Sequence, residues 1–195
     1  MSCSLPYHTV WYAPAVSRRT KQDWLRGGFE VLTHQGSDAL TVENLVTHMR
    51  VTKGSFYHHF GSLAQFRTEL IAFLERSGFS DVIDTIPTHL PAAQQLALIT
   101  ADLSRRDPVY DKAVRLWGER DPEAAALVAR VDAARLTYLT ALFTDLTGHP
   151  DQGQLFARLA YAFYLGTAQI QPRIMGQEYS DMIALLTRLL PQERP

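Results

Sequence analysis

The sequence predicts an all-α fold: an N-terminal helix-turn-helix domain followed by a larger C-terminal helical domain. Three observations carry this prediction. Apolar residues recur at helical spacing along most of the chain. Two short amphipathic segments meet at a tight turn between Thr41 and Phe60. Near the C-terminus, two segments carry more apolar surface than a single contact can cover.

The elements follow in chain order. Residues 1–17 form an irregular arm broken by Pro6 and Pro14, unusually apolar at Tyr7, Val10, Trp11 and Tyr12. Arg18 and Arg19 follow, either a solvated pair or a pair placed to reach phosphates or the minor groove. A first helix over Thr20 to His34 buries Trp24, Leu25, Phe29 and Leu32 and stops at Gly36. The next is capped by Thr41 and buries Val42, Leu45, Val46 and Met49. After a turn at Arg50-Val51, Thr52 caps a third helix whose Phe56 and Phe60 face inward. Lys53, Ser55, Tyr57, His58 and His59 are left outward. A cation, hydroxyls, a phenol and imidazoles suit phosphates and base edges when such a helix enters a major groove. Adjacent residues on a helix point roughly 100° apart, so His58 and His59 are not expected to share a metal ion. Ser62-Leu-Ala-Gln65 has the form of a capping box and opens a fourth helix through Phe66, Leu70, Phe73 and Leu74.

The run Leu40-Thr-Val, then Val51-Thr-Lys-Gly-Ser-Phe-Tyr-His-His-Phe60-Gly-Ser, preceded by Phe29-Glu-Val-Leu-Thr-His-Gln-Gly36, resembles the tetracycline-repressor (TetR) family of bacterial transcription regulators. The resemblance covers Lys21 to about Leu70. It implies that Lys53, Gly54, Ser55, Tyr57, His58 and His59 touch DNA, with the capping Thr41 and Thr52 completing the DNA-binding set. Two positions depart from the family pattern. Arg50 stands where Gly is common in the turn, and Leu63 stands where a phosphate-binding Lys is usual.

Composition is compatible with this reading. The 195 residues allow one or two domains, and 46% hydrophobic content is ample for a packed core. The net charge of −1 is unevenly divided. From Arg18 to Arg76 there are eight basic against six acidic residues; beyond Arg76 there are eleven against fourteen. Cys3 is the single cysteine, which precludes an intrachain disulfide and fits a reducing cytoplasm. No run of about 18 apolar residues suggests a membrane span, and no signal peptide is indicated.

Beyond Gly78, helices are expected over Ala92 to Leu103, from Asp107-Pro108 to near Gly118, and from Asp121-Pro122 to Leu146. Two more are expected over Gln154 to Gln171 and Tyr179 to Leu190. Their surplus apolar surface predicts a homodimer in which these last two helices pair with their symmetry mates, with Ala160, Ala162, Gly166 and Ala168 allowing close approach. Such a dimer would read a pseudo-palindromic double-stranded operator with half-sites roughly 34 Å apart. The resemblance further implies an effector site among the middle helices, with Tyr110, Trp117, Tyr138, Phe143, Phe163 and Gln169 as expected contacts to a small apolar or aromatic molecule. The expected divisions are the arm (1–17), the DNA-binding domain (18–66) and the effector-binding and dimerisation domain (67–195). The function expected is a repressor released from its operator by that effector, without a cofactor or metal. Two alternatives remain open: a regulator whose C-terminal domain binds a protein, and a helical enzyme. The enzyme reading lacks a Gly-rich phosphate loop, His-Glu-x-x-His, Gly-x-Ser-x-Gly or paired Cys.

Overall fold

Thr20 and Asp23 start the first helix by reciprocal capping. The Thr20 hydroxyl accepts the Asp23 N–H at 3.1 Å, and the Asp23 carboxylate accepts the Thr20 N–H at 2.8 Å. The computed structural model describes residues 19–77, 83 and 85–190; among them are nine α-helices and no strand. The expectations for the arm and Cys3 lie outside these residues. The N-terminal helices are α1 (Lys21–Gln35), α2 (Val42–Met49), α3 (Lys53–His59) and α4 (Leu63–Glu75), with a 3₁₀ turn at Ser37–Ala39. Two glycines of α1 set its packing distance. A Cβ at Gly27 would lie 2.4 Å from Met49 Sδ of α2, and one at Gly28 would lie 2.4 Å from the Phe66 ring of α4. At α4 the expected capping box is only half made. Ser62 Oγ accepts the Gln65 N–H at 3.1 Å, but Gln65 Oε1 takes the Gly61 N–H at 2.9 Å, one residue earlier than the box requires.

The C-terminal helices are α5 (Ala92–Arg105), α6 (Val109–Gly118), α7 (Pro122–Thr147), α8 (Pro150–Thr167) and α9 (Gly176–Arg188). Asp121 Oδ1 accepts the N–H groups of Glu123 and Ala124 at 2.9 and 3.1 Å, and Pro122 occupies the first helical position, where a missing N–H costs nothing. Gly148 ends α7 in the left-handed region at φ 69°. Pro150 then begins α8, four residues before the expected start at Gln154, for the same reason that Pro122 begins α7. The last helix likewise starts at Gly176 rather than Tyr179. Helices α7 and α8 form a close hairpin at Gly153, where a Cβ would stand 2.3 Å from Thr144 Oγ1 and 2.6 Å from the Thr144 backbone nitrogen.

The principal core runs from Trp24, Leu45, Phe56, Phe60 and Phe66 through Leu70 and Leu74 to Ala113, Trp117, Ala124 and Leu127. It thus continues from the helix-turn-helix into α6 and the start of α7. Helix α4 joins the two regions. Its Thr68 hydroxyl donates to Glu123 Oε2 at 3.3 Å, and its Glu75 takes both branches of Arg130 at 2.7 and 2.9 Å. A second core centres on Leu96, Ile99, Leu142, Phe143 and Ala157, and a third on Ile174, Tyr179 and Ile183.

Candidate nucleic-acid interface and effector cavity

The helix-turn-helix is held by local hydrogen bonds and one aromatic cluster. Thr41 Oγ1 accepts the Asn44 N–H at 3.2 Å, and the Asn44 amide ties α2 back to Gln35 Oε1 and the Ala39 carbonyl at 2.9 and 3.0 Å. Arg50 sits in the left-handed region at φ 55°, ψ 48°, and the following Val51 N–H reaches the Val46 carbonyl at 3.0 Å. Arg50 therefore adopts the conformation that a turn glycine would adopt. Thr52 Oγ1 then caps α3 by accepting the Ser55 N–H at 3.4 Å. Phe56 anchors the helix, packed edge-on against Trp24 at 5.4 Å and against Phe60 and Phe66 at 5.3 and 5.6 Å.

With Phe56 and Phe60 buried, the opposite face of α3 is presented to solvent. Thr52, Lys53, Gly54, Tyr57 and His58 are exposed, while Ser55 and His59 are half-buried. The His58 and His59 rings lie edge to face, 5.1 Å apart. Thr41 is half-buried and serves as a cap. Lys53 Nζ is paired with Glu43 Oε1 across the turn. The ammonium bonded to it holds the Glu43 carboxyl below the usual carboxylate range, and Glu43 in turn raises Lys53. Leu63, at the first position of α4, packs against the N-terminal core.

The C-terminal region contains a polar assembly that the motifs did not signal. Arg115 of α6 donates to Asp111 at 2.7 Å, to both oxygens of Asp132 at 3.0 and 2.5 Å, and to the Tyr161 hydroxyl at 2.8 Å. Arg135 of α7 donates to Asp111 at 2.6 Å and to Tyr161 at 3.2 Å, and the Tyr161 hydroxyl donates to Asp132 at 2.7 Å. Burial opposes the charge on both arginines, but the carboxylates outweigh it and hold them above the usual guanidinium range. Burial also opposes ionised Asp132. Hydrogen bonds from Arg115 and Tyr161 prevail and keep it below its ordinary value. Burial pushes the Tyr161 phenol up to about 12 despite the arginines beside it.

Cavities flank this assembly. One, of about 100 Å³, lies between α5, α7, α8 and α9, with Leu96, Ile99, Leu139 and Ile183 in its apolar wall and Tyr138, Tyr161, Tyr164 and Tyr179 supplying hydroxyls. Another, about 570 Å³, opens between Phe29 and Leu74 on one side and α6 and α7 on the other. Arg106, Arg135 and Tyr164 line both.

Residues 25–70 match the profile of the bacterial regulatory proteins of the tetR family. That match lies in the N-terminal region alone. The chain is also 42% identical over 50 residues to the transcriptional regulator AcuR of Cereibacter sphaeroides, a stretch that makes up 26% of this chain and spans 23% of AcuR. Solved structures extend the likeness of fold beyond that region. A transcriptional regulator from Rhodococcus sp. Rha1 matches with TM-score 0.71 at 14% identity, covering 88% of this chain and 96% of its own. A transcriptional regulator from Saccharomonospora viridis, in complex with choline, matches with TM-score 0.69 at 11% identity, covering 89% and 96%. Salmonella enterica GusR matches with TM-score 0.62 at 17% identity, covering 87% and 94%.

The six expected effector contacts are dispersed. Tyr138 lines the 100 Å³ cavity and donates to Gln95 Oε1 at 2.8 Å. Tyr110 lines the larger one, against Phe29 at 5.1 Å. Trp117 and Phe143 are fully enclosed members of the first and second cores. Phe163 stacks on Tyr179 at 5.5 Å within the third core, and Gln169 is exposed beyond the end of α8. Helical periodicity marks an aromatic residue as inward-facing without saying which core receives it. The cavity residues Arg106, Arg135, Tyr161 and Tyr179 had one available signal: Asp132 and Arg135, charges at i and i+3 on one face of α7, have to be satisfied by partners if that face is buried.

Proposed function

We propose that the protein is a homodimeric, sequence-specific DNA-binding transcription regulator, acting as a repressor that a small-molecule effector releases from a pseudo-palindromic operator. The observation that carries the reading is the exposed face of α3, where Lys53, Tyr57 and His58 stand clear of the Phe56 anchor at the end of a tetR-family helix-turn-helix. The DNA set is Thr41, Thr52, Lys53, Gly54, Ser55, Tyr57, His58 and His59, with the threonines acting chiefly as caps. Dimerisation uses the exposed apolar stripe of Leu155, Leu159 and Ala162 on α8 with Met182 and Leu185 on α9 and Leu189 just past its end. Leu155, Leu185 and Leu189 are 68%, 58% and 69% exposed in the single chain, which is a large apolar face to leave in water.

The effector occupies the 100 Å³ cavity; the S. viridis regulator with choline shows that this fold can hold a small molecule. Occupation selects a conformer in which the two recognition helices no longer match the operator. The route runs from the cavity through the Arg135 assembly to α7, then across the Glu75–Arg130 and Thr68–Glu123 bonds to α4 and the helix-turn-helix. No helix among the described residues is long and apolar enough to cross a membrane, and the proposed site of action is the cytoplasm. Selection of DNA fragments from a random pool tests the reading. Enrichment of an inverted repeat with half-sites about one helical turn apart is expected; a pool that stays random contradicts it.

A further inference from the structure

We propose that the cavity between α5, α7, α8 and α9 binds a small monocarboxylic acid, its carboxylate received by the hydroxyls of Tyr164 and Tyr179 and by the Arg106 guanidinium. This rests on reading the cavity as the effector site and specifies what that site accepts.

Tyr179 is 4% exposed, its ring stacked on Phe163, and its hydroxyl has no hydrogen-bond partner among the described residues. Tyr164 is fixed by Arg135 over its ring at 5.6 Å and by stacking on Tyr161 at 6.2 Å, and its hydroxyl has no partner among the described residues either. Both phenols line the cavity. Both hydroxyls are thus donors without a protein acceptor on the wall of one cavity, free to donate to a molecule held there. Burial raises both phenols, with Tyr164 adding to the effect on Tyr179 and Asp111 adding to it on Tyr164, so both remain protonated donors at neutral pH.

The charge of the wall favours an anionic acceptor. Arg106 and Arg135 line the cavity, and among the described lining residues there is no Asp or Glu. Arg135 is committed to Asp111 and the assembly behind it. Arg106 is paired with Asp102 on the partly exposed rim of α5, where an ion pair contributes little and can be exchanged for a ligand carboxylate. A carboxylate accepts from several donors and donates to none, which matches two phenols and a guanidinium. The remaining wall, with Leu96, Ile99 and Ile183, takes an apolar body. Size limits that body. A cavity of about 150 Å³ holds benzene, so about 100 Å³ admits a short chain, or one ring only if part of it extends into the opening.

Isothermal titration of the full chain with benzoate, its neutral counterpart benzamide and the larger 2-naphthoate reads the assignment without DNA. Benzoate should bind saturably at one site per chain, and benzamide and 2-naphthoate at least about tenfold more weakly. Tyr179→Phe and Arg106→Gln should each weaken benzoate about tenfold while leaving the ligand-free melting temperature unchanged. Benzamide binding as tightly as benzoate, no saturable benzoate binding, or full affinity in both variants would overturn the carboxylate assignment. A parallel operator-binding titration separates this from the broader reading. If benzoate binds with the predicted variant pattern but DNA affinity does not move, the carboxylate site stands and its role as effector site fails. If DNA is released only by molecules without a carboxylate, the reverse holds.

Discussion

Arg50 places a long side chain at φ 55°, a conformation that costs an L-residue other than glycine roughly 1–2 kcal/mol. Its position is dictated by the turn, because the Val51 N–H must reach the Val46 carbonyl for α3 to cross α2 at the required angle. Arg50→Gly should therefore raise the unfolding free energy by about 1 kcal/mol, read as a higher urea midpoint with an unchanged slope. A lower midpoint would show that the Arg50 side chain makes a compensating contact. Three residues on, Lys53 is bound to Glu43, so contact with DNA must displace an intramolecular carboxylate. Both groups are exposed, and the pair itself adds little to stability. Its consequence is for binding: Glu43→Gln frees the ammonium and removes a negative charge facing the phosphates. Operator affinity should rise severalfold at low salt, with the gain shrinking as salt increases. Fluorescence anisotropy at several salt concentrations checks this, and equal affinities throughout would remove Lys53 from the contact.

The helices were legible wherever their signals close within a few residues. Thr20, Thr41, Thr52, Ser62 and Asp121 each cap a helix through bonds to residues two or three positions ahead, and such bonds can be read from the chain alone. The same is true of the outward face of α3, because Phe56 and Phe60 leave its other side exposed. Pro150 repeats the Pro122 signal, and α8 both starts and ends four residues before the expected Gln154 to Gln171. Contacts between distant helices were not legible. Arg115 meets Asp132 across 17 positions and Tyr161 across 46, and no local pattern announces either bond. The crossing of α7 and α8 belongs to this second kind. Gly153 is needed there because Thr144 of α7 occupies the space of a Cβ, so Gly153→Ala should cost about 1–3 kcal/mol as the hairpin is forced apart. Thermal unfolding measures this loss, and a melting temperature equal to wild type would mean that the helices part without strain.

Across the whole molecule, the Arg115–Asp132–Tyr161 assembly ties α6, α7 and α8 together beside the cavity wall. Asp132 is held below its ordinary value of 3.8 in the folded state, so its stabilising contribution is fully present above that value and is lost as pH falls through the depressed one. Wild type should exceed Asp132→Asn in melting temperature at pH 7, with the gap narrowing as the pH falls below about 4; a constant gap would mean that the contribution is one of shape and not of charge. The same rigid linkage would let a molecule in the cavity reach α4 through Arg130 and Glu75. These features come together in a dimer that we propose reads DNA with the exposed face of α3. Anisotropy of a labelled selected operator, titrated with wild type, Lys53→Ala and Tyr57→Phe, tests it most directly when sedimentation is run on the same samples. Intact dimers are expected in all three, with operator binding weakened about tenfold or more in the Lys53 variant and a smaller loss for Tyr57→Phe. Wild-type affinity in both variants, with dimers intact, would contradict it.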